Sequence, residues 1–153
     1  MRVDYASLAD LRFHIRAFLH TRETAARAAG LEPQQYVMLL QIKGLEGRQP
    51  VTVGLLAQRL RIRHHSAVEL VDRLAERRLV RRRRAASDRR QVLVELRPAG
   101  RSVLRRLATH SLTELQTAGP ALVQVLTRLI RNRGNGSRPR SRSRRSRLNG
   151  GKR

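Results

Sequence analysis

The sequence predicts a mainly α-helical domain carrying one small β-hairpin, and three observations predict it. Apolar residues recur at helical spacing near both ends: Leu8, Leu11, Ile15, Phe18 and Leu19 early, and Val103, Leu104, Leu107, Leu112 and Leu115 late. Between these ends lie two short helical patterns, Leu55, Leu56, Leu60 and then Ala67, Leu70, Val71, Leu74. Only a tight turn separates them, so the helices must cross steeply and the second presents its N-terminal turns outward, which is a helix-turn-helix. After Leu79 the period changes to two: Val80, a basic run, then Val92, Val94 and Leu96 in alternation. That pattern gives two strands joined by a loop from Arg84 to Gln91. A basic hairpin following a helix-turn-helix is a winged helix.

Taken in order, a first helix spans residues 6–29 and ends at Gly30. Glu32-Pro33 starts the second, because proline suits a first helical turn, and Tyr36, Leu39, Leu40 and Ile42 form its expected buried stripe. Thr52 is an N-cap for a third helix, Val53 to Leu60, since its hydroxyl can accept from an otherwise unpaired backbone amide. The recognition-helix candidate runs from His64 to Arg77. Beyond the wing, Pro98 opens a helix that Gly119-Pro120 is expected to interrupt, and Leu122, Val123, Leu126, Leu129 and Ile130 follow in a segment apolar over much of its circumference. Such a segment packs against another helix, either within one copy or across a dimer interface built from both ends of the chain. The expected division is a winged-helix domain over 1–131, with a DNA-binding lobe at 30–97 and dimerisation helices at 6–29 and 98–131. Residues 132–153 form a basic Ser-Arg tail with too little apolar surface to recover the entropy of ordering, and are expected to be disordered.

Composition narrows the function. In 153 residues, 34 basic against 11 acidic side chains give a formal charge of +23. A polyanionic partner is implied, nucleic acid first and an anionic membrane surface second. Nine basic residues lie in the tail, so the folded part keeps +14 (23 − 9). Absence of cysteine excludes a disulfide framework and thiolate metal sites. No apolar run approaches membrane-spanning length, and charge interrupts any signal-like N-terminus, so a cytoplasmic, nucleoid-associated protein without a membrane partner is expected. His64 and His65 point about 100° apart on a helix, and His14 and His20 fall on opposed faces, so neither pair chelates a metal. No catalytic constellation or cofactor motif is identifiable, so the expectation is no enzyme, no metal and no cofactor.

Four strings in order resemble the MarR family of bacterial winged-helix transcription regulators: G-L-E-P-Q-Q-Y-V-M-L-L-Q-I at 30–42, V-T-V-G-L-L-A-Q-R-L at 51–60, L-V-D-R-L at 70–74 and D-R-R-Q-V-L-V-E-L-R-P-A-G at 88–100. The resemblance covers Leu8 to Ile130. It implies a homodimer with interlocked terminal helices and two winged lobes on a pseudo-palindromic operator, often released by a small effector bound between lobe and dimer core. The chain departs from the family pattern at Arg61 and Arg78, where glycine is common, at Arg63, a poor cap before the recognition helix, and at Arg97, where threonine is frequent. If Arg61 or Arg78 needs a positive φ, each costs on the order of 1 kcal/mol.

Candidate DNA contacts follow. Amides at the start of the recognition helix can hold a phosphate, with Arg61 and Arg63 adding charge. His64, His65, Ser66, Val68 and Glu69 are placed to read the major groove, and Arg73 is placed to pair with Glu69. In the wing, Asp88-Arg89-Arg90 resembles the family's tip, which implies that Asp88 orients the Arg90 guanidinium into a minor groove. Arg82 and Arg84, within the run Arg81 to Arg84, flank it as phosphate contacts. Phe13, His14, Phe18 and Tyr36 are the candidate lining of an effector pocket. The function read from these features is a sequence-specific, dimeric regulator acting as a repressor. The alternative is an architectural, low-specificity DNA-coating protein, favoured by the arginine replacements and the tail. A third reading has the tail binding RNA or an acidic protein.

Overall fold

The computed structural model describes residues 3–134. Five helices and one hairpin follow in the order α1 (Tyr5–Ala28), α2 (Pro33–Leu45), α3 (Val53–Leu60), α4 (His64–Glu76), β1 (Val80–Arg84), β2 (Val92–Leu96) and α5 (Pro98–Gly134). Local chemistry explains most boundaries. The Asp4 side chain accepts from the Ser7 amide at 3.0 Å to start α1. Gly30, at φ 74°, turns the chain out of α1 in a conformation that side chains resist. Glu32 and Gln35 then form a reciprocal capping box around Pro33. Thr52 caps α3 as expected, its hydroxyl accepting from the Leu55 amide at 3.2 Å.

The core sits in the lobe. Leu31, Tyr36, Met38, Leu39, Ile42, Leu56, Ala67, Val71 and Leu74 are buried against Val80, Val94 and Leu96 of the hairpin and Val103, Leu104 and Leu107 of α5. The four predicted inward positions of α4 (Ala67, Leu70, Val71, Leu74) are its buried residues. In α2 the stripe differs from expectation: Leu40 is 37 % exposed, and Met38 and Leu45 take the interior instead. A segment reading Val-Met-Leu-Leu is apolar all round, so periodicity alone cannot choose its inner face.

The hairpin is antiparallel, with Val80 opposite Leu96, Arg82 opposite Val94 and Arg84 opposite Val92. It is tied to the lobe by a bridge between Thr52 and Leu93 and by the Val94 amide donating to the Val51 carbonyl at 2.8 Å. Immediately after it, Gly100 comes against the Leu79 carbonyl so closely that a Cβ there would lie 2.1 Å from the oxygen. Only glycine allows α5 to leave the lobe at this point.

The expected break at Gly119-Pro120 does not occur: α5 is one 37-residue helix with Pro120 inside it. Proline removes a single amide and crowds the preceding turn, a local penalty that many flanking helical bonds outweigh. Likewise Asn132 to Gly134, assigned from sequence to the tail, complete α5. Residues 135–153, the rest of the predicted tail, lie outside the described residues.

Candidate nucleic-acid interface

The turn between α3 and α4 is built on a left-handed residue. Arg61 has φ 55° and ψ 43°, and its amide and that of Ile62 close back on the Gln58 and Ala57 carbonyls. Its guanidinium is exposed and makes no hydrogen bond or ion pair among the described residues. Arg63 takes the N-cap position of α4 in extended conformation with no side-chain cap bond, and the first turn holds no acid. The leading amides of α4 therefore face outward uncapped, at the positive end of the helix dipole.

From that end, His64, His65, Glu69 and Arg73 are exposed, while Ser66 and Val68 are half-buried. Glu69 Oε2 lies 3.9 Å from Arg73 Nη2, one turn on. That spacing is an exposed ion pair of small energy, which leaves both groups available to a partner.

The wing sorts its arginines sharply. Arg81 and Arg83 lie on one face of β1 and both reach Glu95, through Nε and Nη2 of Arg81 at 3.0 and 2.8 Å and Nε of Arg83 at 2.6 Å. The Glu95 carboxyl is held below its ordinary pKa, chiefly by the Arg83 hydrogen bond. Arg82, on the other face, is paired with Asp72 of α4, which ties wing to recognition helix. Arg84 donates to the Arg89 carbonyl at 2.9 Å and so braces the loop. Arg82 and Arg84, expected as phosphate contacts, are thus engaged within the chain.

At the apex, the Asp88 carboxylate accepts from the backbone amide of Arg90 at 2.9 Å. Asp88 thereby fixes the loop backbone at Arg90 in an Asx-turn. Arg89 and Arg90 are exposed, and their guanidinium groups make no ion pair among the described residues. Within the helix-turn-helix and wing, Arg61, Arg63, Arg89 and Arg90 keep their charge uncompensated among the described residues, whereas Arg81, Arg82 and Arg83 do not.

The proposed effector residues have different surroundings. Phe13 is 67 % exposed and meets only the edge of His14, ring centroids 5.4 Å apart. Phe18 lies under the Arg22 guanidinium at 3.7 Å. Tyr36 is buried, with its hydroxyl 3.1 Å from Ser111 Oγ. Three of the four are on α1 and Tyr36 is on α2. Asp72 was missed as the partner of Arg82, though its spacing on α4 put it near the outward face. No group of histidines and acids among the described residues is arranged to hold a metal, and no described helix is long and apolar enough to cross a membrane.

Residues 29–91, the α2-to-wing lobe, match the family model described as MarR family. That stretch is similar to the MarR family. The solved structures it resembles agree on the fold across nearly the whole described chain. A MarR family transcriptional regulator, AbsC from Streptomyces coelicolor, is 23 % identical at a TM-score of 0.66, covering 86 % of this chain and 92 % of that one. A mutant of S. aureus MepR bound to an oligodeoxyribonucleotide is 15 % identical at 0.64, covering 86 % and 99 %. CouR from Rhodococcus jostii RHA1, bound to p-coumaroyl-CoA, is 23 % identical at 0.62, covering 76 % and 80 %. Among curated proteins none matches. The five helices and the two-stranded wing are the MarR winged-helix fold, as the sequence predicted.

Proposed function

We propose that this chain is a sequence-specific DNA-binding transcription regulator that works as a homodimer on a pseudo-palindromic operator and acts as a repressor. The observation that carries the reading is the sorting of charge. Arg81 and Arg83 share Glu95 and Arg82 pairs with Asp72, whereas Arg61, Arg63, Arg89 and Arg90 are left uncompensated where a winged helix meets the two grooves. His64, His65, Ser66, Val68 and Glu69 read base edges from the start of α4, Arg73 restrains Glu69, and the wing apex enters the minor groove. Dimerisation is supported by apolar side chains left exposed on the terminal helices. Leu8, Ile15 and Leu19 of α1 are 40–48 % exposed, and Leu112, Val123 and Ile130 of α5 are 61–70 % exposed.

Selection of bound fragments from genomic DNA, followed by competition against random duplex at physiological salt, tests this. A two-fold site bound at least about 10³-fold more tightly than random duplex supports it. Equal affinity eliminates it in favour of an architectural DNA-coating role, the reading that the arginines at 61, 63 and 78 favour.

An effector, if the chain takes one, fits a hollow of about 340 Å³ between α2 and α5 better than it fits the aromatic set read from sequence. Leu40, Leu104 and Ala108 give it an apolar floor, with Arg105 and the Glu46-paired Lys43 and Arg101 at its rim. Such a lining suits an amphipathic anion. Thermal shift against a panel of aromatic carboxylates and acyl thioesters tests it, and no shift with any of them removes the reading.

A further inference from the structure

The helix α5 is anchored in the lobe by Val103, Leu104 and Leu107, and the next buried residue along it is Ser111. Ser111 therefore stands where α5 leaves the lobe and joins α1. Four polar groups meet there. Tyr36, from α2 of the lobe, sets its buried hydroxyl 3.1 Å from Ser111 Oγ. From α1, Arg22 donates through Nη2 to the Ser111 carbonyl at 3.2 Å. One turn further on, Glu114 has a buried Oε2, and Arg22 has a buried Nε, neither with a hydrogen-bond partner among the described residues. The other Glu114 oxygen lies 3.3 Å from His110 Nε2. A buried polar atom left unpaired is costly, so both hold this junction under tension.

We propose that Tyr36, Ser111 and Arg22 form a polar latch that fixes the lobe's angle to the terminal helices. In the dimer of the preceding section, on which this inference rests, that angle sets the distance between the two recognition helices. Tyr36 and Ser111 are then positioning residues for DNA binding, remote from any base or phosphate. An apolar contact tolerates sliding and rotation, because dispersion has little directionality. The Tyr36 hydroxyl does not: turning the lobe on α5 strands it, buried, without a partner.

The test uses the full chain and Tyr36→Phe, Ser111→Ala and double variants. Probes are duplexes carrying one or two copies of the half-site obtained by selection with the wild-type protein. In the two-copy set, centre-to-centre spacing runs from about 9 to about 12 base pairs around one helical turn. Wild type is expected to prefer one spacing. Each single variant should reduce that preference about fivefold, the loss of one hydrogen bond, while binding the single half-site as wild type does. The double variant should be no worse than either single, because both break the same bond. Unchanged spacing preference in both single variants overturns the latch. Equal loss on single and paired half-sites also overturns it, since that is general destabilisation. A wild-type protein indifferent to spacing removes instead the dimeric-regulator reading, and the latch with it.

Discussion

Arg61 and Arg78 both occupy left-handed backbone, at φ 55° and 56°. For a non-glycine residue this conformation costs about 1–2 kcal/mol relative to glycine. Replacing either by glycine also frees the unfolded chain, which offsets the gain by about 0.4–1 kcal/mol. Each substitution should therefore stabilise the fold by roughly 0.5–1 kcal/mol, and the pair should add, because they lie about 20 Å apart along the 13-residue α4. Their effects on DNA should differ. Arg61 precedes the uncapped start of α4 and is read as a phosphate contact, so Arg61→Gly should weaken binding and lower the salt slope by about 0.9 per protomer. Arg78 lies at the far end of α4, and Arg78→Gly should leave affinity unchanged. Urea denaturation gives the first quantity, and affinity measured over a salt series gives the second. If Arg61→Gly lowers stability, the strain argument fails. If it stabilises but leaves the salt slope intact, Arg61 does not touch phosphate.

Other perturbations give equally direct readings. Gly100→Ala forces a methyl into the Leu79 carbonyl and should cost about 2–4 kcal/mol in urea denaturation, well above the ordinary glycine-to-alanine effect in a helix. Glu46 is held at about pKa 2, first by the Arg101 hydrogen bond and then by that from Lys43. Its contribution is present above the ordinary value of 4.5 and is lost as pH falls towards 2. Glu46→Gln should therefore lower the melting temperature at neutral pH and flatten its fall across that acid window. The effect should be modest, because the carboxylate is 38 % exposed. Arg90→Ala should lose more affinity on A·T-flanked than on G·C-flanked sites in a mobility-shift series, and uniform loss would make Arg90 a phosphate contact.

Where a feature depends on neighbours in sequence, it was legible. The Glu32-Pro33 helix start, the Thr52 cap and the Val92-Val94-Leu96 alternation are short-range signals, and the structure places elements on each. Gly119-Pro120 misled because it is also a short-range signal, a breaker whose local cost a long helix absorbs. Gly100 shows the opposite failure. Glycine early in a helix signals only that something must approach closely, and the Leu79 carbonyl that does so is fixed by the hairpin between them. At the site, the exposed positions of α4 followed from its period. Which wing arginines are spent on Glu95 and Asp72 depended on strand register and on how α4 crosses β1, neither of which the chain spells out locally.

With 34 basic against 11 acidic residues, and Glu46, Asp72 and Glu95 already bound to guanidinium groups of their own chain, positive charge dominates the surface that other polyanions meet. In a crude lysate, ribosomal and transfer RNA will compete for the open arginines, and only counterions at high concentration displace them. With two tyrosines and no tryptophan the polypeptide absorbs weakly at ultraviolet wavelengths, so even slight carry-over of nucleotide will dominate its spectrum. A preparation washed gently will arrive as a nucleoprotein, and its apparent affinity for any added duplex will be an exchange constant rather than a binding constant.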